Sequence, residues 1–195
     1  MQSFIDHARS FRARAGTGLH RLAEGQSPLA LFITCSDSRV IPSLITGAGP
    51  GDLFELRTAG NIVPAWRPER PTGETATIEF AVEVLGVSDV IVCGHSHCGA
   101  VGALVRGQDL TALPALRRWL SDASPPGAFT GVPDDAELAE AVQSHALAQL
   151  DRLATYPAIQ GRLERREIGL HAWYYQVHTG SVLAYKPAAR AFLPL

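Results

Sequence analysis

Short apolar runs alternate with amphipathic stretches along the chain. The runs at residues 29–34 and 90–93 are continuous and apolar, as strands buried on both faces usually are, and the second lies in a strand predicted at 89–93. A third strand is predicted at residues 53–57, and two strands at 167–177 and 181–185 form a hairpin near the carboxyl terminus. Because most of these strands are separated by helical patterns, the sequence predicts an α/β fold with a mainly parallel sheet flanked by helices.

Apolar residues that recur at helical spacing predict the helices. Ile78, Ala81, Val82 and Leu85 mark a helix over residues 74–85. The longest helix carries its apolar stripe from residue 138 to residue 153, with Asp134 or Asp135 as its amino-terminal cap. Shorter helices are predicted at 42–46, 98–106 and 112–120, an extended loop at 65–73, and a chain break at 124–127.

Length and composition suit one compact domain over residues 1–195, with residues 1–24 as an amino-terminal helical arm. Of the 195 residues, 46% are hydrophobic and 18% are charged, which argues against disorder. Seventeen basic and nineteen acidic residues nearly balance, and no basic cluster is flanked by aromatic side chains, so we expect no nucleic-acid partner. No run reaches the roughly 18 apolar residues of a membrane span, so we expect no membrane insertion.

The two central apolar runs each lead into a polar turn that carries metal-ligand residue types. The first turn reads CSDSR at residues 35–39, and the second reads GHSHCG at residues 94–99. Since ligands collect beyond the carboxyl ends of strands in an open α/β sheet, the two turns should converge. Cys35, His95 and Cys98 then form a zinc-type ligand set with a fourth position left open for water, substrate or another side chain.

Asp37 and Arg39 add charged groups beside this ligand set. Alternate residues of an extended chain share a face, which places both next to Cys35. Arg39 can hold Asp37 ionised and oriented, and Asp37 can accept a hydrogen bond from water at the metal or become the conditional fourth ligand. The pattern therefore favours a hydrolytic or hydration centre.

A structural role is the alternative to this interpretation. Taken singly, buried cysteines and a histidine are most often core residues, although a closed structural zinc site usually has four ligands in paired short spacings. An odd number of cysteines, three, does not suit a disulfide framework and fits a reducing, cytoplasmic compartment.

The two turns together resemble the zinc signature of the β-class carbonic anhydrases. Further segments resemble that family in the same order along nearly the whole chain, at residues 25–28, 50–54, 57–61, 78–82, 170–175 and 179–180. The resemblance implies about four parallel strands with an antiparallel edge strand. It also implies a Zn²⁺ cofactor held by Cys35, His95 and Cys98, catalytic roles for Asp37 and Arg39, and reversible hydration of carbon dioxide to bicarbonate and a proton.

The resemblance also implies a substrate pocket, position by position. Gln26 matches a substrate-binding glutamine of the plant-like, permanently open subtype, and Phe54 matches the pocket aromatic of that subtype. Ala59 stands at a small apolar position, and Phe80 replaces a tyrosine. Gly99 follows the last ligand and is a further substrate-binding candidate, because its backbone N–H could face the zinc-bound oxygen. We therefore expect an open site, in which Asp37 is paired with Arg39 near neutral pH.

The resemblance further implies a homodimer, with dimers able to pair into a tetramer. Residues like Gln26 and Phe80 reach the zinc of the partner subunit in that arrangement. Two other functions stay open at the level of sequence: a zinc hydrolase of carbonyl sulfide or carbon disulfide, and a non-catalytic zinc protein that binds bicarbonate. Relatives of the first kind narrow the approach to the metal through insertions or assembly, and loss of Asp37 or Arg39 would support the second.

Overall fold

A computed structural model describes residues 1–123 and 134–195. Within these residues lies a six-stranded sheet with the strand order β2-β1-β3-β4-β5-β6. Strands β1 to β4 are parallel to one another, and β5 and β6 continue the sheet in antiparallel pairing. The strands are β1 Ala30–Cys35, β2 Leu53–Thr58, β3 Asp89–His95, β4 Gly169–Tyr175, β5 Val182–Lys186 and β6 Ala191–Pro194.

The predicted fold class is confirmed, and the sheet is one antiparallel strand wider than expected. The hairpin of β4 and β5 joins the sheet through β4, which pairs in parallel with β3. Strand β6 then pairs with β5 and was not predicted. Its four residues, AFLP, are too few to show a period-two alternation.

The helices lie close to their predicted positions. They are α1 Gln2–Ala15, α2 Pro42–Thr46, α3 Gly73–Glu79, α4 Gly99–Val105, α5 Pro114–Ala123, α6 Asp135–Leu153 and α7 Pro157–Glu164. Helix α3 continues as a wider helical turn over Phe80–Val84. These two segments correspond to the helix predicted at 74–85. Helix α7 was missed, and the chain break predicted at 124–127 lies outside the described residues.

The cap of α6 is Asp134, one of the two residues proposed from the sequence. Its side chain accepts a hydrogen bond from the backbone N–H of Glu137 at 2.8 Å. The Glu137 carboxylate accepts one from the backbone N–H of Asp134 at 3.0 Å. This reciprocal pair satisfies two donors at the helix start and fixes where α6 begins.

The core follows the alternation of side chains along the central strands. Leu31 and Ile33 of β1 share one face with Val90 and Val92 of β3. Helices α3, α6 and α7 pack on that face through buried residues that include Ile78, Ala146 and Ile159. Phe32 points to the other face, where its ring meets the edge of the Trp173 ring at a centroid distance of 5.9 Å. The sheet therefore fixes the carboxyl ends of β1 and β3 side by side.

Residues 2–24 form α1 followed by a 3-10 segment, Gly16–Glu24. No residue of either element is buried, and Phe4 and Phe11 are 74% and 49% exposed. None of the helices in the described ranges has the length and apolar character needed for a membrane crossing.

Helix α6 crosses β3 at Gly94, and we expect this contact to tolerate no side chain. A Cβ at Gly94 would lie 2.7 Å from Val142 Cγ1 and 3.4 Å from the Val142 carbonyl oxygen. Gly94→Ala should lower the free energy of unfolding by about 1–3 kcal/mol, because a packed interior accommodates an added methyl only by moving the helix. Thermal unfolding in the presence of a chelator measures this effect without a contribution from bound metal.

Gly73→Ala is the matched control, because a Cβ there meets nothing within 4 Å. It should leave the midpoint of unfolding nearly unchanged. Adding Val142→Ala to Gly94→Ala should restore part of the lost stability by making room for the new methyl. Equal midpoints for Gly94→Ala and Gly73→Ala would show that the helix is not in tight contact with β3.

Candidate metal centre

The three predicted ligands meet at the carboxyl ends of β1 and β3. Cys35 is the last residue of β1, His95 is the last residue of β3, and Cys98 directly precedes α4. One potential ligand atom from each of the three lies within 4.8 Å of the other two, and all three residues are buried. Because β1 and β3 are hydrogen-bonded neighbours, their register alone brings Cys35 level with Gly94, next to His95.

The donor atoms of this cluster fit a divalent metal ion. His95 Nδ1 lies 3.0 Å from the Ser96 carbonyl oxygen, to which it donates as N–H, so His95 Nε2 carries the lone pair. This Nε2 atom is buried and has no hydrogen-bond partner among the described residues. Two sulfurs and an unpartnered imidazole nitrogen match the ligand preference of zinc-type ions, and they leave a fourth position open.

The two thiols influence each other strongly in this buried place. The pKa of Cys35 is lowered to about 4, chiefly because the Cys98 thiol can donate a hydrogen bond to the Cys35 sulfur, with a further contribution from the backbone N–H of Gly60. The pKa of Cys98 is raised, since its ionisation would remove that hydrogen bond and leave a second negative charge beside Cys35. A bound divalent cation removes this conflict, because it neutralises both thiolates at once.

Backbone N–H groups also point at the two sulfurs. The Gly60 nitrogen lies 3.3 Å from Cys35 Sγ. The backbone N–H groups of Ala100 and Val101, in the first turn of α4, act to lower the pKa of Cys98 and so oppose its net rise. Hydrogen bonds of this kind stabilise the charged form of each ligand.

Asp37 is held by Arg39 at the edge of the cluster. Arg39 donates from Nε to Asp37 Oδ1 at 2.9 Å and from Nη2 to Asp37 Oδ2 at 2.7 Å. This two-point contact with the guanidinium lowers the pKa of Asp37 well below its usual range. Asp37 Oδ2 lies 3.9 Å from His95 Nε2, so the ionised carboxylate stands next to the ligand set while it is paired with Arg39.

Arg57 is a residue of the site whose role sequence reasoning missed. Its Nη2 donates to the carbonyl oxygens of Cys35, Asp37 and Val40 at 3.1, 2.8 and 2.7 Å. One side chain therefore fixes the loop that carries both Cys35 and Asp37. An arginine four residues after Leu53 in a short strand gives no signal of this, because the partners are backbone atoms of a distant loop.

The residues predicted to bind substrate divide into two groups. Ala59 and Gly99 adjoin the cluster, because Gly60 donates a hydrogen bond to Cys35 Sγ and Cys98 is a member of the cluster. Phe54 does not, since it pairs with Leu31, about 13 Å before Cys35 along the strand. The Phe54 ring instead lies 5.9 Å from the ring of Phe80.

Gln26 belongs to the second group. It is exposed on the segment that precedes β1, whereas the cluster lies at the opposite end of that strand. The structure of one chain therefore brings together the three ligands, Asp37, Arg39, Ala59 and Gly99, but not Gln26, Phe54 and Phe80.

Comparisons with known proteins agree with the arrangement of the site. A family model described as carbonic anhydrase matches residues 30–182. A carbonic anhydrase of Pseudomonas aeruginosa is 44% identical over 89% of this chain and 80% of its own length. Carbonic anhydrase 1 of Escherichia coli O157:H7 is also 44% identical, over 90% of this chain and 81% of its own length.

Solved structures show the same similarity. The β-carbonic anhydrase CcaA superposes with a TM-score of 0.90 at 38% identity and covers 100% of this chain and 92% of its own. One of two β-carbonic anhydrases from Sordaria macrospora, described as tetrameric, has a TM-score of 0.75 at 28% identity over 94% of this chain and 97% of its own. On the family match, the two relatives and the site geometry together, the chain belongs to the β-class carbonic anhydrase family.

Proposed function

We propose that this protein is a zinc enzyme that catalyses the reversible hydration of carbon dioxide to bicarbonate and a proton. The observation that carries the proposal is the cluster of Cys35, His95 and Cys98, next to an Asp37 carboxylate that Arg39 holds in place. Zinc held there supplies Lewis acidity, which turns water into a nucleophile near neutral pH.

The side chains of the chain then orient the reacting groups. Asp37 accepts a hydrogen bond from the attacking water, so that a lone pair of the water points toward carbon dioxide. Arg39 keeps Asp37 ionised and prevents it from turning toward the ligands. The N–H of Gly99, at the exposed start of α4, is placed to donate to a substrate oxygen.

We further propose that the pocket is completed in a homodimer, which can pair into a tetramer. Gln26, Phe54 and Phe80 lie away from the cluster of their own chain, so they line the cluster of the partner subunit. The exposed apolar surface supports this: Phe80 is 42% exposed and Val84, four residues later, is 66% exposed. Side chains four apart on a helix share a face, which gives the partner an apolar surface to pack against.

The intact Asp37–Arg39 pair argues against a bicarbonate-binding protein without activity, and no feature of the described residues favours carbonyl sulfide or carbon disulfide over carbon dioxide.

We propose a cytoplasmic location, because Cys35, Cys93 and Cys98 are free buried thiols, which a reducing compartment preserves. The single domain over residues 1–195 is part of the same proposal.

Carbon dioxide hydration should be measurable by stopped flow, and Arg39→Ala should lower it about 10- to 100-fold while zinc is retained. The reason is that the variant frees Asp37 without touching a metal ligand. Arg165→Ala is the control, because Arg165 forms an exposed ion pair with Glu167. A wild-type protein that contains zinc but prefers carbonyl sulfide, measured on the same sample, would contradict the proposed substrate.

Zinc should be present at about one ion per chain, as three ligands of one chain imply. Cys35→Ser and Cys98→Ser should each lose most of it, because a neutral hydroxyl does not replace a thiolate. Cys93→Ser is the matched control, since Cys93 packs on the other face of the sheet. Metal analysis of the purified variants measures the zinc content per chain. Full zinc content in Cys35→Ser or Cys98→Ser would show that the ligand set is wrong.

The site should be of the open subtype, with Asp37 paired to Arg39 in the metal-loaded protein. Three hydrogen bonds from Arg39 hold the Asp37 carboxylate in this position. Two come from the Arg39 guanidinium, and the third comes from the Arg39 backbone nitrogen, which lies 2.9 Å from Asp37 Oδ1. Crystal structures of the zinc-loaded protein near pH 5.5 and pH 8 would check this. An Asp37 oxygen about 2.0–2.2 Å from zinc, with Arg39 turned away, would refute the open site.

The dimer should dissociate when a charge is placed on its proposed surface. Light scattering should give about twice the 20.9-kDa chain mass, or four times if dimers pair, and Val84→Glu should give the monomer mass with lost activity. Leu113→Glu is the matched control, because Leu113 is also apolar and 52% exposed. Dimers of undiminished activity in Val84→Glu would place the interface elsewhere.

A further inference from the structure

The Gly60 N–H that bonds Cys35 belongs to a turn in an unusual backbone conformation. Gly60 has φ 78° and Asn61 has φ 48°, so two consecutive residues lie in the left-handed region. A Cβ at Gly60 would be 3.1 Å from Ala100 Cβ, which shows that the turn presses against the helix that follows Cys98. Such a conformation persists only when its surroundings hold it in place.

Trp119 of α5 holds the peptide unit that carries this N–H. Trp119 Nε1 donates to the Ala59 carbonyl oxygen at 2.8 Å. The Ala59 carbonyl and the Gly60 N–H are the two ends of one planar peptide group, so a bond at the oxygen fixes the direction of the N–H. A hydrogen bond at one end also polarises the other end, which strengthens the contact with the sulfur.

His145 of α6 holds the next peptide unit. Its Nε2 lies 2.8 Å from the Gly60 carbonyl oxygen. Burial lowers the pKa of His145, so the ring is neutral and the nitrogen facing a carbonyl is the one that carries hydrogen.

The same face of α6 continues the support beyond the turn. The Val63 N–H donates to Gln149 Oε1 at 3.0 Å, and Arg152 Nη1 donates to the Val63 carbonyl at 2.9 Å. Positions 145, 149 and 152 follow helical spacing, so one face of α6 makes the hydrogen bonds to the backbone of Gly60 and Val63. The turn is therefore held from two helices, and both hold it at backbone atoms.

We propose that Trp119 and His145 are positioning residues for the metal centre: they hold the Gly60 N–H on the sulfur of Cys35 and so set how much charge this ligand donates to the metal. Both bind backbone oxygens, at Ala59 and Gly60, and neither is a member of the cluster of Cys35, His95 and Cys98. The inference rests on the proposed metal site and goes beyond it, because it assigns a role in that site to two residues outside the ligand set.

The test uses the full-length protein loaded with cobalt(II) in place of zinc. Trp119→Phe keeps an aromatic ring and removes the donor. A sulfur that loses a hydrogen bond gives up its electrons more readily, so the thiolate-to-cobalt charge-transfer band should move to lower energy. Cobalt affinity, measured by competition with a chelator, should fall about tenfold, as for other residues that orient a metal ligand.

Trp66→Phe is the matched control for the tryptophan. Trp66 Nε1 donates to Glu79 Oε1 at 3.0 Å, away from the turn, so its loss should move neither the band nor the affinity. His145→Leu should shift the band as Trp119→Phe does. His145→Gln should restore both readouts, because the glutamine amide can donate to the same carbonyl.

The outcomes separate the inference from the function on which it rests. Variants that unfold at lower temperature but keep the wild-type band and affinity would overturn the positioning role and leave the metal site standing. A wild-type protein without any thiolate-to-cobalt band would overturn the metal site and the inference with it. A shifted band in Trp119→Phe would support the inference whether or not carbon dioxide is the substrate.

Discussion

The burial of Cys35 beside Cys98 is the constraint on which the rest of the site depends. Two thiolates share a buried space only if a cation or hydrogen-bond donors offset their charge. The chain supplies donors from its backbone, at Gly60 for Cys35 and in the first turn of α4 for Cys98. His95 adds a nitrogen without a hydrogen-bond partner among the described residues, and the proposed metal ion would supply the remaining compensation.

Two arginines near the cluster have different structural roles, although they carry the same charge. Arg39 binds the Asp37 carboxylate at two points, whereas Arg57 binds three carbonyl oxygens of the loop from Cys35 to Val40. Arg57 therefore fixes the path of the loop, and Arg39 fixes one side chain upon it. Because the tasks are separate, a substitution of Arg39 would free Asp37 while Arg57 keeps Cys35 in place.

The sequence was sufficient for strands β1 to β5, for most helices and for the grouping of Cys35, His95 and Cys98. Continuous apolar runs predicted β1 and β3, and the placement of Cys35 and His95 at their ends followed from the rule for open α/β sheets. Helix α7 was missed because its pattern, PAIQGRLE, has few apolar residues and follows α6 closely. Strand β6 was missed because it is short and depends on the pairing with β5.

What the sequence could not show are contacts between side chains and distant backbone. His145 and Gln149 lie on the buried face of α6, and a pattern of apolar positions treats them only as interruptions. The available signal was two polar residues four positions apart on an otherwise apolar helix face. This pattern indicates that each has a buried polar partner, but it does not identify the partner. Nothing in the sequence indicated the contact made by Trp119, because a tryptophan on an amphipathic helix is accounted for by burial of its apolar ring alone.

The donors around the sulfurs also bear on how a site with two thiolates can activate water. Two thiolates cancel the charge of a divalent ion and leave it a weaker Lewis acid than three neutral imidazoles would. Each backbone N–H that bonds a sulfur withdraws part of the donated charge, and so returns part of that acidity. On the proposed function, the left-handed turn at Gly60 would serve the chemistry as well as the fold. In the proposed zinc enzyme, the acidity of the metal would therefore depend on the backbone donors as well as on the choice of ligands.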